Sequence, residues 1–416
     1  MLTEAHDAPS SAGAEVERVG VTRLVLTDFR NYREARLSLC TEPVVLTGPN
    51  GAGKTNLLEA LSFLAPGRGL RGTKLTEIDR RREDADDISP PARGRRSGWA
   101  VAAVIATRRG IIRIGTGRDV SVHPQNEVPG GLSRGTASER RLVRIDGEPV
   151  RGQAALGERL GIVWLTPPMD RLFLEGPGGR RRFLDRLVLG LDPAHGSRVA
   201  AYEQALRERS RLLRDGPADP AWLAALEEVM AEQGVAIAAG RRETIQRLDR
   251  ACVEAEGPFP RARLALVGVI EGWLEEMPAL AAETKFASLL AASRQSDAQA
   301  GGAAIGPHRS DLGVSLAQKG IAAELASTGE QKALLISILL AHAGLQRAIR
   351  GEPPLLLLDE IAAHLDAGRR AALFEALLRI ESQAWLTGTD AALFAPMRCY
   401  AQFLSVHDGT LTATSH

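Results

Sequence analysis

The sequence predicts an α/β fold: a P-loop nucleotide-binding head, built as a mixed sheet with flanking helices, into which a helical arm is inserted. Three observations predict it. Gly48-Pro49-Asn50-Gly51-Ala52-Gly53-Lys54-Thr55 fits the phosphate-loop pattern G-x-x-x-x-G-K-[ST]. Leu355-Leu356-Leu357-Leu358-Asp359-Glu360 is an apolar run that ends in two carboxylates. Residues 178–300, between the two, read mostly as helix.

Taken in order, residues 1–18 are small and polar, without a basic start followed by an apolar stretch, and read as a disordered tail. Val21 to Leu39 reads as two strands around the turn Asp28-Phe29-Arg30-Asn31-Tyr32. Pro43-Val44-Val45-Leu46 is a short β-branched strand, and Asn56 to Leu64 a helix stopped by Pro66-Gly67. That strand–loop–helix context suits phosphate binding. Glycines let the backbone fold around phosphates, and successive N–H groups at the helix N-terminus present positive potential to an anion. Lys54 is placed to reach β- and γ-phosphates, and Thr55 to hold Mg2+. Gly48, Pro49, Asn50, Gly51, Ala52, Gly53 and Asn56 complete the expected nucleotide contacts.

From Gly98 the pattern is β again. Trp99 to Thr107 and Ile111 to Gly115 flank Arg108-Arg109-Gly110, and Leu142 to Ile145 and Pro149-Val150 flank Asp146-Gly147, a hairpin signal. The charged or Gly/Pro-rich stretches 81–97 and 123–139 are expected as mobile loops. Arg180 to Leu191 and Pro193 to Arg214 read as helices; Asp215-Gly216-Pro217-Ala218-Asp219-Pro220 breaks the chain, and Ala221 to Ala255 resumes it. Trp222, Leu226, Val229, Gln233, Ile237, Ile245 and Leu248 mostly follow three-four spacing, the pattern of a buried helix face. An antiparallel arm follows, its first limb of about 22 residues roughly 33 Å long. Strand-like sequence returns at Leu264 to Ile270, helix runs on to about Ser293, and Ala384 to Leu386 reads as a final strand. The expected division is a tail (1–18), the first part of the head (19–177), the arm (178–300) and the second part of the head (301–416).

An all-apolar strand suits a sheet buried on both faces, and carboxylates at its C-terminal end fall where open α/β sheets bind ligands. Asp359 is the expected partner of Mg2+, and Glu360 the expected base that orients an attacking water. Ser327-Thr328-Gly329-Glu330-Gln331-Lys332 precedes the apolar helix Ala333 to Gln346. It resembles the signature motif of the ABC ATPase superfamily, which makes the head ABC-type. In that family the signature serine and glycine, here Ser327 and Gly329, grip the γ-phosphate bound to the other subunit. Ser327 with Glu330 three residues on is also a capping box, and the two readings are compatible. Ala363-His364-Leu365-Asp366 resembles the family's D-loop.

Composition excludes little. The chain is 44% hydrophobic and 25% charged with net charge +1, ordinary for a globular protein. No wholly apolar run approaches the roughly 20 residues of a membrane span. Cys40, Cys252 and Cys399 are scattered and odd in number, which suits a reducing cytoplasm and offers no metal site. Aromatics are 4%, too few for a single-strand stacking platform, so contacts to the phosphate backbone of duplex DNA fit better. Arg68, Arg71, Lys74 and Arg80-Arg81-Arg82 form the candidate patch; in so arginine-rich a chain each could equally be an ordinary solvated cation.

These residues together resemble the RecF family of SMC-like ABC ATPases. Leu26-Thr27-Asp28-Phe29-Arg30-Asn31-Tyr32 resembles the family's opening strand and turn, Pro66-Gly67-Arg68-Gly69-Leu70-Arg71 the segment after the phosphate loop, Arg180-Arg181-Arg182-Phe183-Leu184-Asp185-Arg186 the start of the arm, and Gly306-Pro307-His308-Arg309-Ser310-Asp311-Leu312 the approach to the signature. The resemblance places Asn31 among the nucleotide-binding residues and Lys54, Ser327, Gly329, Glu360 and Asp366 in the catalytic set. It implies ATP and Mg2+ as cofactors and an ATP-dependent homodimer with weak ATPase activity. That dimer binds duplex DNA, at junctions with single strands, and works with RecR and RecO to help load RecA. Departures are visible. Thr166-Pro167-Pro168-Met169-Asp170 stands at the Q-loop-like position without a glutamine, Thr387-Gly388-Thr389 stands where transporter ATPases carry a switch histidine, and Ser310 replaces a common aspartate. A transporter subunit would carry those residues and a signature soon after the phosphate loop. A structural SMC protein would need sustained heptads, and a metabolite kinase would lack the signature.

Overall fold

Four consecutive leucines can be accommodated as a strand only when both faces of that strand are covered. In the computed structural model, which describes residues 18–80, 98–119, 140–216 and 219–414, Leu355 to Leu358 are all fully buried. The elements run β1 (Gly20–Phe29), β2 (Tyr32–Ser38), β3 (Val44–Thr47), α1 (Lys54–Ser62), β4 (Ala100–Thr107), β5 (Gly110–Arg118), β6 (Arg141–Ile145), β7 (Glu148–Pro149), α2 (Ala154–Arg159) and β8 (Ile162–Leu165). Then come α3 (Pro177–Leu191), α4 (His195–Asp215), α5 (Pro220–Glu254), β9 (Ala262–Val267), α6 (Val269–Glu276), α7 (Ala279–Ala292) and α8 (Arg294–Ala300). The last third holds β10 (Asp311–Leu316), β11 (Ile321–Ala322), α9 (Thr328–Arg350), β12 (Leu355–Leu358), α10 (Ala367–Ile380), β13 (Ala384–Gly388), β14 (Gln402–His407) and β15 (Thr410–Ala413).

The central sheet has the order β15-β14-β3-β13-β12-β8. Only its β14–β15 pair is antiparallel, so the sheet is mixed. The phosphate-loop strand β3 lies between β13 and β14, strands from the far end of the chain. Alternate side chains then face two different cores. Val44, Leu46, Leu355, Leu357 and Trp385 pack with α1 and the antiparallel sheet β2-β1-β4-β5-β6-β7. Val45, Leu356, Leu358 and Leu386 pack with α3, α9 and α10. A third sheet, β11-β10-β9, joins β9 from the arm side of residue 300 to β10 beyond it, with Leu264 opposite Val314.

The arm corrects the expected stripe on α5. Trp222 and Val229 are exposed, whereas Ile237, Ile245 and Leu248 are buried as expected, on a face that also includes Leu223, Glu227, Met230, Gly234 and Arg241. The rest of that face was hidden because three of its members, Glu227, Gly234 and Arg241, do not look apolar. Glu227 is buried because Arg209, itself fully buried, donates to it at 2.9 Å while also reaching Asp297 at 2.8 Å. Gly234 is buried because a Cβ there would come within 2.9 Å of Phe286. The first limb, α4, has 21 residues, and α5 has 35, roughly 50 Å at 1.5 Å per residue.

Three further expectations change. The strand expected over Leu264 to Ile270 ends at Val267, and Ile270 belongs to α6. The strand at Ala384 is not final: β14 and β15 follow, joined by Asp408-Gly409, both with positive φ. One helix, α9, is long and apolar enough to cross a membrane; it is mostly buried inside the protein, between the sheet and the arm base. The tail up to residue 17, the expected loops 81–97 and 123–139, and Arg81 and Arg82 lie outside the described residues.

Candidate nucleotide-binding site

The phosphate loop is folded by its own glycines and held by its neighbours. Gly51 and Gly53 have φ of 82° and 117°, conformations in which a side chain is strained. Gly53 is also crowded: a Cβ there would lie 2.6 Å from Asn31 Nδ2 and 2.9 Å from the Tyr32 hydroxyl. Asn31 lies in the β1–β2 turn and Tyr32 opens β2, and both clamp the loop. Asn31 Nδ2 donates to the Ala52 carbonyl at 3.1 Å, Asn56 Nδ2 donates to Asn31 Oδ1 at 2.8 Å, and the buried Tyr32 hydroxyl donates to the Gly53 carbonyl at 3.0 Å. From the other side Gly409 N donates to the Ala52 carbonyl at 3.1 Å, and Gly48 lies so close to the Val406 carbonyl that a Cβ would reach 2.2 Å.

Lys54 is buried in the hollow of the loop, where its ammonium donates to the carbonyls of Gly48 at 2.7 Å and Pro49 at 2.9 Å. Burial lowers its pKa from the ordinary lysine range, and the carboxylates of Glu360 and Asp359 offset part of that shift. The fold therefore brings residues from opposite ends of the chain to one point. Thr55 Oγ1 donates to Asp359 at 3.0 Å from each carboxylate oxygen, and Thr387 Oγ1 donates to Asp359 Oδ1 at 2.7 Å. Asp359 is pushed above the usual carboxylate range, chiefly by burial, with the Thr387 and Thr55 hydrogen bonds acting against that shift. Glu360 sits beside it at φ 52°, and its N–H donates to Thr387 Oγ1 at 2.9 Å. A left-handed glutamate costs about 1–3 kcal/mol and persists only where its surroundings impose it.

A hydroxyl and a carboxylate within hydrogen-bond reach are hard oxygen donors of the kind Mg2+ takes, usually one or two from protein and the rest from phosphate and water. In keeping with that, no group of three or more His, Cys, Asp or Glu among the described residues could cage a metal alone. The chemistry this corner can support is positioning and charge compensation of a polyphosphate, with one carboxylate free of the Thr55 bond to take a proton.

Ser327, Gly329 and Asp366 are not part of this corner's hydrogen-bond network. Ser327 caps α9: its hydroxyl accepts from Glu330 N at 3.3 Å, and its own N–H donates to Glu330 Oε2 at 3.0 Å, so the capping box is complete. Lys319 donates to the same glutamate at 2.5 Å and, with the Ser327 bonds, holds Glu330 down at about 2. Ser327, Thr328 and Gly329 are exposed, next to Leu325 at 74% exposure. Asp366 caps α10 by accepting from Arg369 N at 2.8 Å. Of the cationic candidates, Arg68 and Lys74 are exposed. Arg71 is engaged: it donates to Glu59 at 2.6 Å and to Asn56 at 2.8 Å, and Arg30 holds the other side of that fully buried glutamate with two bonds of 2.9 and 2.8 Å.

Sequence reading missed Tyr32, Thr387 and Gly409 as parts of the site. Gly409 carries a legible signal, since Asp408-Gly409 is a hairpin turn pair. Thr387 carries none, because its role depends on β13 lying next to β12.

A head whose central sheet is assembled from both sides of an inserted arm is the architecture of SMC-type ABC ATPases. The Smc head bound to the C-winged helix domain of ScpA matches with TM-score 0.51 at 16% identity, over 95% of this chain and 97% of that one. A family model for an AAA domain (putative AbiEii toxin, Type IV TA system) matches residues 44–94, the segment carrying the phosphate loop. Closer kinship decides the family. The DNA replication and repair protein RecF of Rhizobium rhizogenes is 46% identical over 397 residues, 95% of this chain and 99% of its own length. RecF of Mesorhizobium japonicum is 47% identical over 95% and 98%. The chain belongs to the RecF family of DNA replication and repair proteins. The fold agrees: the recombination mediator RecF-ATPrS of the RecFOR pathway superposes with TM-score 0.79 at 20% identity, over 96% of this chain and 99% of that one.

Proposed function

We infer that this chain is an ATP-dependent DNA-binding recombination mediator. It binds ATP with Mg2+ at the corner built by Lys54, Thr55 and Asp359, dimerises on ATP, and hydrolyses it slowly as a switch. The observation that carries the reading is the convergence of Thr55 and Thr387 on the Asp359 carboxylate while Ser327 and Gly329 stay exposed. The monomer supplies both halves of a nucleotide site at separate places, so two copies facing each other complete two sites. RecF structures described as RecF-ATP and RecF-ATPrS support ATP as the nucleotide.

In this reading Lys54 and the loop amides hold the β- and γ-phosphates. Thr55 and Asp359 hold Mg2+, which neutralises phosphate charge when bound. Glu360 orients the attacking water and takes its proton. Ser327 and Gly329 approach the γ-phosphate of the partner's ATP through a helix N-terminus, and Asp366 lies on the facing surface. Arg68 and Lys74 contact duplex phosphates near a junction with single-stranded DNA, with Arg71 restrained by Glu59. The protein acts in the cytoplasm at gaps or stalled forks and works with RecO and RecR toward RecA loading; the RecFOR pathway in which a structural relative is described supports this reading.

The test is mass in solution with ATP, with ADP and without nucleotide, repeated with duplex DNA. The expected outcome is a dimer with ATP alone, stabilised by DNA, with log affinity for DNA falling by about 0.9 per phosphate contact for each unit of log salt. A monomer under every condition would refute the switch, and a flat salt response would refute backbone contact.

A further inference from the structure

Asp170 and Lys332 join two segments that lie far apart in the chain. Asp170 is in the 3-10 turn Pro167–Arg171, which follows β8 directly. The end of β8 touches the strand that carries Asp359: Leu358 pairs with Leu165, and Asp359 N donates to the Leu165 carbonyl at 2.9 Å. Lys332 is in α9, one turn beyond Ser327 and Gly329. Its ammonium is buried and donates to Asp170 Oδ2 at 3.2 Å. No other ion pair joins that turn to α9 among the described residues.

A buried ammonium deprived of its counter-charge is strongly disfavoured. A shift of the 167–171 turn therefore either carries Lys332 with it or breaks the pair at a cost. Because α9 is a single helix of 23 residues capped at Ser327, displacement at Lys332 reaches the capped end one turn away. We propose that Asp170 and Lys332 form a positioning pair that sets Ser327 and Gly329 according to the state of the Asp359 strand. The proposal rests on the reading of Ser327 and Gly329 as contacts to the partner's ATP.

Three variants separate positioning from plain stability: Asp170→Asn, Asp170→Glu, and Asp170→Asn combined with Lys332→Met. The last removes both charges and leaves none buried and unpaired. Two readouts are taken besides thermal stability. One is amide hydrogen exchange in residues 327–332 on adding ATP, at a concentration where the protein is monomeric; the other is the dissociation constant of the ATP dimer. The wild type and Asp170→Glu should show an ATP-dependent change in exchange. Asp170→Asn and the double variant should lose it, and their dimers should weaken by roughly tenfold, the usual range of coupling between sites, with ATP affinity of the monomer unchanged. The double variant should recover thermal stability without recovering either readout. An ATP response in the double variant equal to wild type would reduce the pair to a structural contact, and a wild type with no exchange response would overturn the coupling itself. A wild type that responds in exchange yet never dimerises would instead overturn the dimer reading and leave the coupling standing.

Discussion

The phosphate loop and the signature turn are both helix N-termini built to present amides, yet the protein treats them in opposite ways. Around the phosphate loop the neighbours close in: Asn31, Tyr32 and Gly409 hold its backbone, Asn56 holds Asn31, and Lys54 is buried within the loop. At the signature turn the helix satisfies itself. Ser327 and Glu330 cap each other, Lys319 steadies the glutamate, and the serine, the glycine and Leu325 face solvent. The difference separates a loop braced by other parts of the chain from a turn braced only by itself. A loop that must accept a flexible polyphosphate is pre-organised by its own chain. The turn proposed to meet a second copy is kept stable by local hydrogen bonds that do not reach beyond it.

The largest effect that sharpens this comparison comes from Glu360. Glu360→Gln keeps the shape of the side chain and removes the base, so hydrolysis should fall by about 10² or more while ATP binding persists. The expected companion result is a longer-lived ATP dimer, measured as its dissociation rate. Asp359→Asn should differ, since it takes away the carboxylate that Thr55 and Thr387 share and with it Mg2+-dependent binding. Equal, wild-type hydrolysis in both variants would remove the carboxylate pair from the mechanism.

The next effect probes the signature turn alone. Ser327→Arg puts a bulky cation on an exposed helix start, leaving the phosphate loop untouched. ATP affinity of the monomer should change by less than about twofold, and the ATP dimer should weaken by tenfold or more, as coupling energies between sites allow. Dimerisation at wild-type affinity would mean that the turn is a cap and nothing else. The smallest effect tests the clamp. Tyr32→Phe deletes one buried hydrogen bond to the Gly53 carbonyl, worth about 1 kcal/mol. Nucleotide affinity should fall about fivefold, read by titration, with no change in how ATP dimers form once the site is saturated.

Much of the site was legible because its chemistry is local in sequence. Gly48 to Thr55 is a contiguous motif, since one loop must wrap one phosphate group, and Asp359-Glu360 is marked by the apolar run a doubly covered strand requires. Ser327 and Glu330 are legible for the same reason, because a cap acts over three residues. The buried stripe of α5 was misread in its first half, where Trp222 and Val229 are exposed, because Glu227 and Gly234 become core residues only through Arg209 and Phe286, which come from other helices.

By itself the sequence determined the phosphate loop, the acidic strand end, the capped signature helix and the arm between them, since each is specified by residues within a few positions of one another. Only the tertiary structure decided that Thr387 steadies Asp359, that Tyr32 and Gly409 brace the loop, that Arg71 is tied to Glu59, and that Lys332 meets Asp170. The Thr387 and Gly409 contacts depend on the order of strands in a sheet assembled from both ends of the chain. Strand order is set by packing across the whole core, and no local pattern of residues encodes it.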